Sequence, residues 1–387
     1  MTSFVVILFM AGIYLHIPFC KKACHYCNFH FSTQTGHIQS FVEAIIQEIR
    51  LQKGYLDQPI ETIYFGGGTP SLLNAGQLKA RIEAGYTHFK IAPAIECTLE
   101  ANPDDIDSNK LNEWKQVGIN RLSIGIQSFQ TDALSWMNRA HSVEQSHNAI
   151  KLAQEAGIHN ISIDLIYGTP TLSNQGLMTD LDWIEQYQIK HVSCYALTVE
   201  DKTALKKLIE KQQLEDVDPE KQAAHFELLT ARLKKMGMEH YEISNFAVPG
   251  YRSKHNSNYW SGVTYLGLGP SAHSFNGTSR QWNIANNALY IQSLKKEELN
   301  FEIEYLSDAN RYNEYMMTSL RRIEGFDLEF IEQKFGVAYL EHTKRALDAF
   351  KSKYYFQQIK NNIALKNSAK FLADGIASDF FILESAL

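Results

Sequence analysis

The sequence predicts an α/β protein in which six β–α units build one parallel sheet, followed by a smaller, mainly helical C-terminal region. Two observations lead to this prediction. Short β-rich runs alternate with amphipathic helical stretches through the first half of the chain. After about residue 200 this alternation gives way to long polar helices and a loop-rich stretch. Consecutive β–α units favour parallel strands with right-handed crossovers, so the sheet is either open or curled into a partial barrel.

Six runs have the length and composition of strands: GIYLHI (12–17), TIYFGG (62–67), IECTLE (95–100), RLSIGI (121–126), ISIDLI (161–166) and HVSCYAL (191–197). Helical stretches between them begin at Phe41, Ser108 and Ser142. Ser142 is followed three residues later by Gln145, the spacing of a capping box, and Gly157 has the position of a C-cap.

The second half of the chain is predicted to contain two polar helices, at 202–214 and 220–237, and a loop-rich stretch at 245–275. From about residue 306 the sequence is mainly helical and is predicted to end in a hairpin within 363–381. We therefore expect three parts: an N-terminal extension (1–11), a core domain with accessory loops (12–300) and a small C-terminal domain (301–387). Residues 1–9 are expected to be an upstream start-site artefact or an unimportant extension, because Met10 offers a complete start.

Composition excludes several functional classes. The 387-residue chain has a net charge of −6, which gives no general attraction to nucleic acid or to an anionic membrane surface. The apolar N-terminal run falls short of the roughly 20 residues that a membrane span needs, so no stable membrane insertion is expected. Five cysteines, three of them closely spaced, argue against a disulfide framework and favour a reducing compartment, with the cytoplasm as the default.

The three closely spaced cysteines, Cys20, Cys24 and Cys27, follow the first predicted strand with the spacing C-x3-C-x2-C. Thiolates in a tight loop suit zinc or an iron–sulfur cluster. Zinc would need a fourth ligand, and three nearby histidines could supply it: His16, His25 and His30. The spacing alone leaves both metals open.

Polar or turn-forming residues follow all six predicted strands, as in HIPFC, GGGTPS, LEANP, GIQSF, DLIYGTP and YALTVE. Ligands bind at the carboxyl ends of parallel strands, so these six ends are expected to form one site. The glycines of GGGTP allow close approach of a ligand to the backbone. Glu100, Gln127 and Asp164 add polar side chains, and Asp164 has the type and position expected for pairing with ribose hydroxyls.

The cysteine loop after the first strand resembles the hallmark of the radical S-adenosylmethionine (radical SAM) superfamily, whose fold is a partial (β/α)6 barrel. The resemblance implies a [4Fe–4S] cluster held by Cys20, Cys24 and Cys27, with SAM on the open iron and an electron donor for the cluster. Gly67, Gly68 and Thr69 would then hold the methionine part of SAM, and Tyr26 joins the expected SAM-binding set. Superfamily members cleave SAM to methionine and a 5′-deoxyadenosyl radical.

The motifs YLHIPFC, FGGGTPS, LEANP, GIQSFQ, NRAH, IDLIYGTP and GLGPSAHSF further resemble the oxygen-independent coproporphyrinogen III oxidase family, which includes a heme-chaperone branch, HemW. The closing LADGIASDFF resembles the C-terminal, HemN-type domain of that family. The resemblance implies SAM contacts at Tyr14, Glu100, Gln127, Arg139 and Asp164.

Two features favour the heme-chaperone branch. True oxidases carry a further cysteine two residues after the third cluster cysteine, where this chain has Phe29. The stretch HNSNYW, His255 to Trp260, matches the H-N-x-x-Y-W motif of the chaperones. An imidazole suits heme iron, and Tyr259 and Trp260 offer flat apolar surface to a macrocycle. His273 is a second, weaker candidate.

We therefore expect a heme chaperone that uses a radical SAM fold with a [4Fe–4S] cluster and SAM, binds heme at His255 and delivers it to acceptor heme proteins. The first alternative is an oxygen-independent coproporphyrinogen III oxidase, which decarboxylates two propionates by radical chemistry. The second is a radical SAM enzyme acting on another substrate, because fold and cofactor do not fix the substrate.

Overall fold

The computed structural model describes residues 10–383, so the interpretation of residues 1–9 lies outside the described part of the chain. Fifteen strands are found in residues 10–383. They are β1 (Ala11–Ile17), β2 (Ile60–Gly67), β3 (Ile91–Ala101), β4 (Arg121–Gln127), β5 (Ile161–Tyr167), β6 (His191–Ala196), β7 (Glu239–Glu242), β8 (Asn245–Ala247), β9 (Tyr265–Leu268), β10 (His273–Phe275), β11 (Ser279–Asn283), β12 (Phe301–Tyr305), β13 (Phe326–Asp327), β14 (Phe356–Ile359) and β15 (Asn362–Leu365).

Strands β1 to β6 lie side by side in chain order and run parallel, which confirms the predicted α/β class and all six predicted strands. Two additions extend this sheet to twelve strands. Beyond β6, the antiparallel pair β8 and β7 forms one edge. Beyond β1, the parallel strand β9 is followed by the antiparallel strands β10, β11 and β12.

Fourteen α-helices connect the strands of the described chain. They are α1 (Ile38–Leu51), α2 (Ala75–His88), α3 (Ser108–Gln116), α4 (Thr131–Trp136), α5 (Val143–Glu155), α6 (Asn174–Gln186), α7 (Ala204–Glu210), α8 (Pro219–Lys235), α9 (Lys254–Trp260), α10 (Asn287–Lys295), α11 (Asp308–Arg321), α12 (Leu328–Phe335), α13 (Val337–Ala349) and α14 (Ala373–Ser378). Ser142 caps α5 in a capping box with Gln145, as predicted. The C-cap is Ala156, and Gly157 follows it with a φ of 77°.

The two faces of the parallel strands differ in chemistry, because successive side chains of a strand point to opposite faces. On β1, the alternate residues Ile13, Leu15 and Ile17 are at most 2% exposed and pack in the main core with α1 and α2. The intervening residues Tyr14 and His16 line a cavity instead. The same alternation along the other strands gives an apolar face under the helices and a polar face that carries the site.

The stretch 245–275, predicted to be loop-rich, contains regular structure, so that prediction is wrong. It includes β8, α9, β9 and β10. These elements are three to seven residues long, and β9 pairs with β1, from which it is separated by about 250 residues of chain. Local sequence patterns are weak over such short elements, and the pairing of β9 with β1 and of β8 with β6 is long-range.

The C-terminal part has its own hydrophobic core, built from buried residues between Ala309 and Ile382, and a small sheet of β13, β15 and β14. The predicted hairpin within 363–381 is wrong: the hairpin is β14–β15, and residues after it form a 3-10 helix (Asn367–Leu372) and α14. Strand β12 still pairs with β11 of the large sheet. The domain boundary near residue 300 stays a prediction.

Among residues 10–383, no helix combines the length and the apolar character needed to cross a bilayer.

Candidate functional site

The cysteine loop leaves β1 and is closed at its base by a parallel bridge between Phe19 and Ser32. The Ser32 backbone N–H donates to the Pro18 carbonyl at 2.9 Å, and the Cys20 N–H donates to the Ser32 carbonyl at 3.0 Å. Phe19 is buried and packs edge-on against Phe41 of α1. All three cysteines therefore lie on a loop whose two ends are fixed to each other and to the core.

The tip of the cysteine loop is anchored to the end of α4 and the two residues that follow it. The His25 N–H donates to the Met137 carbonyl at 3.1 Å, and His25 Nδ1 lies 3.0 Å from the Trp136 carbonyl oxygen. The Asn138 side-chain amide donates to the Ala23 carbonyl at 2.8 Å. These bonds join the cysteines to the segment that carries Arg139.

A first cavity, of about 390 Å³, lies at the carboxyl ends of β1 to β6. Residues from all six strand ends line it, as the sequence predicted, which also means that the sheet curls around this space. Eleven of the predicted site residues line it: Cys20, Cys24, Cys27, Tyr26, Gly67, Gly68, Thr69, Glu100, Gln127, Arg139 and Asp164. Tyr14, also expected to contact SAM, instead lines a neighbouring cavity.

The glycine triplet at the end of β2, residues 66–68, is required because neighbouring groups approach its backbone closely. A Cβ at Gly66 would lie 2.9 Å from Tyr14 Cε2 and 3.0 Å from both Glu100 Oε1 and Tyr64 Cε1. Gly67 has a φ of 107°, and a Cβ there would lie 2.5 Å from His16 Nδ1. The Gly68 N–H donates to the Ile17 carbonyl at 2.9 Å, so the turn lies against the exit of β1 and presents backbone rather than side chains to the first cavity.

Arg139 joins the cysteine loop to the ends of β3 and β4. Its guanidinium donates to the Asn102 side-chain oxygen at 2.8 Å and to the Gly125 carbonyl at 2.9 Å. It also lies 3.3 Å from Cys24 Sγ and 3.4 Å from the Tyr26 hydroxyl. Its buried Nε has no hydrogen-bond partner among residues 10–383.

Two carboxyl groups at the cavity wall have raised pKa values. Burial, reinforced by Asp164, raises the pKa of Glu100 to about 7. Burial raises the pKa of Asp164 to about 6, although the Ser123 hydroxyl donates to both of its oxygens at 3.3 Å. Gln127, at the end of β4, has a φ of 67°, an unusual conformation for a residue other than glycine and one that recurs at functional sites.

The three cysteine thiols are partly buried. Burial raises the pKa of the Cys27 thiol to about 11 and also raises that of Cys20, whose Sγ accepts from the Thr69 hydroxyl at 3.5 Å. In residues 10–383, no group of three or more Cys, His, Asp or Glu side chains is arranged to hold a single metal ion. A cluster bonds each thiolate to a different iron atom, so its cysteines need not meet at one point. Three thiols around one cavity thus fit a cluster with three cysteine ligands.

A second, larger cavity of about 1020 Å³ adjoins the first, and His255 of α9 lies in its wall. Ser253 caps α9, accepting from the Asn256 N–H. His255 Nδ1 lies 2.9 Å from the buried hydroxyl of Thr62, and the imidazole stacks on Tyr64 with ring centroids 4.9 Å apart. No residue in the described chain hydrogen-bonds His255 Nε2. Burial lowers the pKa of His255 to about 3, so the imidazole is neutral near pH 7.

The other candidate histidines differ in whether a ring nitrogen is free to bind a metal. Both ring nitrogens of His16 have partners: Nδ1 lies 3.3 Å from the Tyr14 hydroxyl and Nε2 lies 2.8 Å from the His30 carbonyl oxygen. His25 faces the Trp136 carbonyl and lines neither cavity. His273, the second heme candidate, is exposed at the wall of the larger cavity and stacks on Trp282.

Sequence reasoning missed three residues that organise the site. Thr62 holds His255, Tyr64 contacts both His255 and Glu100, and Asn102 holds Arg139. The sequence did contain a signal for Thr62 and Tyr64, because they share the polar face of β2 with Gly66. This alternation could be recognised only once the opposite, apolar face was assigned to the core.

Comparison with known proteins places this geometry in context. The model of the radical SAM superfamily matches residues 14–184. The chain is 33% identical over 331 residues to the heme chaperone HemW of Bacillus subtilis, an alignment that covers 84% of this chain and 87% of that protein. It is also 33% identical over 371 residues to the heme chaperone HemW of Mycobacterium tuberculosis, covering 94% and 93%.

A solved structure of similar fold is coproporphyrinogen III oxidase (HemN) from Escherichia coli, described as a radical SAM enzyme. The TM-score is 0.82 at 21% sequence identity, and the match covers 96% of this chain and 90% of that one. At this identity the similarity concerns the fold, which agrees with the predicted radical SAM architecture.

Proposed function

Because the chain belongs to the heme chaperone HemW family within the radical SAM superfamily, we propose that it binds heme in the larger cavity and delivers it to acceptor heme proteins. The observation that carries this proposal is His255, which presents an unpartnered Nε2 at the wall of a cavity of about 1020 Å³. The family membership gives the class of ligand, and the histidine gives the atom that would bind its iron.

The larger cavity has the chemistry of a porphyrin site. Tyr259 and Trp260 of the family motif line it, together with Tyr14 and Tyr64, and flat aromatic rings pack well against a macrocycle. The Thr62 hydroxyl fixes the imidazole through Nδ1 and leaves Nε2 for iron, the arrangement typical of histidine ligands. The neutral state of His255 keeps its lone pair available.

The smaller cavity is proposed to hold a [4Fe–4S] cluster and SAM. Cys20, Cys24 and Cys27 would ligate the cluster, which in the superfamily supplies one-electron reduction of SAM. Gly67, Gly68 and Thr69 would bind the methionine end, and the Arg139 side chain, which lines the cavity, would orient the ligand. Glu100 and Asp164 would pair with the amino group and the ribose, with Tyr26 and Gln127 completing the wall. Tyr14 would contact SAM only across the boundary between the cavities.

Coproporphyrinogen III oxidation is the second candidate, favoured by the fold similarity to the oxidase HemN. Against it stands Phe29, at the position where the oxidases carry a cysteine. Its side chain is 66% exposed and lines both cavities, so an apolar group stands where the oxidases have a thiol. We therefore place heme transfer first.

The same proposal implies further partners: an electron donor for the cluster, and acceptor heme proteins that take the heme. A cluster with an open iron is labile in air, which favours a reducing compartment such as the cytoplasm.

The experiment uses the cluster-reconstituted protein under anaerobic conditions. We expect wild type to bind one heme per chain, to pass it to apomyoglobin, and to leave coproporphyrinogen III unchanged with SAM and dithionite. His255→Ala should weaken heme binding by more than about tenfold, whereas His159→Ala, an exposed histidine beyond α5, should bind as wild type. Conversion to protoporphyrinogen without stable heme binding would overturn the proposal.

A further inference from the structure

The two cavities share part of their walls, and the Tyr64 side chain contacts both Glu100 and His255. Asn28, Phe29, Glu100 and Tyr195 line both. The Tyr64 hydroxyl donates to Glu100 Oε1 at 2.8 Å, and the Tyr64 ring stacks on His255 at 4.9 Å with an interplanar angle of 26°. Tyr64 therefore touches a carboxylate of the proposed SAM site and the imidazole of the proposed heme site.

We propose that Tyr64 is a positioning residue that couples the two sites, so that SAM bound at Glu100 strengthens heme binding at His255 and heme strengthens SAM binding. The inference rests on the proposed function, because it assigns heme to the larger cavity and SAM to the smaller one. It adds a physical link between the two ligands and names the residue that makes it.

Packing gives Tyr64 little freedom to lose one contact while keeping the other. The side chain is 8% exposed, and the Tyr14 ring stacks against it with centroids 6.1 Å apart. Gly66 lies against Tyr14, Tyr64 and Glu100 with no room for a Cβ. A shift of Glu100 or of the Tyr64 hydroxyl therefore displaces the Tyr64 ring, which faces His255.

The direction of the coupling follows from the hydrogen bond. The Tyr64 hydroxyl is the donor of this bond and Glu100 Oε1 is the acceptor. The raised pKa of Glu100 means that its neutral form is populated near pH 7, and a cationic ligand would favour the charged carboxylate. Hydrogen bonds to charged acceptors are roughly twice as strong as neutral ones.

A stronger bond to Glu100 holds the Tyr64 ring in the position that stacks on His255. An imidazole fixed from two sides, by Thr62 and by Tyr64, has less orientational freedom to lose when it binds iron. Heme affinity should therefore rise when SAM is bound. Thermodynamic linkage requires that heme raise SAM affinity by the same factor.

Two other aromatic residues near both sites, Phe29 and Tyr14, do not offer such a link. Phe29 lines both cavities but is largely exposed and has no polar atom in its side chain. Tyr14 stacks on both Tyr64 and His255, yet its hydroxyl bonds to His16 rather than to Glu100. The direct path from carboxylate to imidazole runs through Tyr64.

The test measures both affinities in the cluster-loaded protein: heme with and without saturating SAM, and SAM with and without heme. In wild type we expect SAM to tighten heme binding about fivefold, the lower end of typical coupling between sites, and heme to tighten SAM binding by the same factor. Tyr64→Phe removes the hydroxyl and keeps the ring. Its coupling factor, the ratio of heme affinities with and without SAM, should fall below about twofold, whatever the change in affinity for each ligand alone.

Tyr187→Phe is the matched control, because the Tyr187 hydroxyl also pairs with a histidine, His147 Nδ1 at 2.9 Å, but lines neither cavity. It should keep the wild-type factor. A factor of one in wild type overturns the inference without any variant, and so does an undiminished factor in Tyr64→Phe. If wild type binds heme but shows no coupling, only this inference fails; if it binds no heme, the proposed function fails first.

Discussion

Gly66 has no side chain, and the space is occupied by residues that line the two cavities. Tyr14, Tyr64 and Glu100 converge on its Cα from β1, β2 and β3, and all three would lie within 3.0 Å of a Cβ. From sequence, the glycine triplet predicted room for a ligand at the backbone. In the structure the first glycine makes room for neighbouring side chains, a requirement that depends on strand register and is invisible in a local motif.

Gly66→Ala is expected to destabilise the protein by about 1–3 kcal/mol, because the added methyl group overpacks a filled junction. It should also weaken SAM binding, since Glu100 must move. Urea unfolding and calorimetric SAM titration measure the two effects.

The matched control for this substitution is Gly85→Ala in α2, where the nearest atom to a Cβ would be Ile63 Cδ1 at 3.8 Å. Alanine is the better helix former, so stability should rise there by about 0.5–1 kcal/mol. A Gly66→Ala protein as stable as wild type, with unchanged SAM affinity, would show that the junction is looser than described.

At the scale of elements, the cysteine loop depends on its neighbours. Three hydrogen bonds attach its tip to the end of α4 and the two residues that follow it, and the bridge between Phe19 and Ser32 closes its base. Asn138, within that segment, adopts a left-handed φ of 58° and reaches Ala23 with its amide.

Asn138→Gly should keep the backbone conformation, which glycine adopts freely, and lose the bond to the loop. We expect iron to leave the reconstituted cluster several-fold faster into a chelator, with stability lowered by no more than about 1 kcal/mol. Loss of cluster absorbance under anaerobic conditions gives the rate.

Gln188→Gly is the control for Asn138→Gly, because Gln188 has a similar φ of 53° at an exposed turn far from the loop. It should release iron at the wild-type rate. Equal release rates for both variants and wild type would contradict the anchoring role of Asn138.

The elements that sequence predicted well are those whose signal is local. The six strands and α5 combine period, length and capping residues within a dozen positions. Among the elements it missed, β8, β9 and β10 have three or four residues each, and β8 and β9 pair with the distant strands β6 and β1. Prediction of the candidate site was limited in the same way. The cysteines and the strand ends follow from local motifs. Thr62, Tyr64 and Asn102 gain their roles only through contacts across the sheet.

At the scale of the whole molecule, the larger cavity is built from parts far apart in the chain. His255 comes from α9, its partners Thr62 and Tyr64 come from β2, and the C-terminal part contributes Arg321 of α11. The Arg321 guanidinium donates to the buried Glu242 at 2.9 Å and lies 4.7 Å from the ring centroid of Trp260. The small C-terminal core therefore helps to hold the aromatic end of the HNSNYW motif in place.

The most direct test of heme binding at this cavity identifies the iron ligand by resonance Raman spectroscopy of the ferrous heme complex. Wild type should give an iron–histidine stretch that is absent in His255→Ala. Added imidazole should restore the stretch in the variant, because the substitution leaves a space of that shape beside Thr62 and Tyr64. A His255→Ala complex with the wild-type spectrum before imidazole is added would contradict heme ligation by His255.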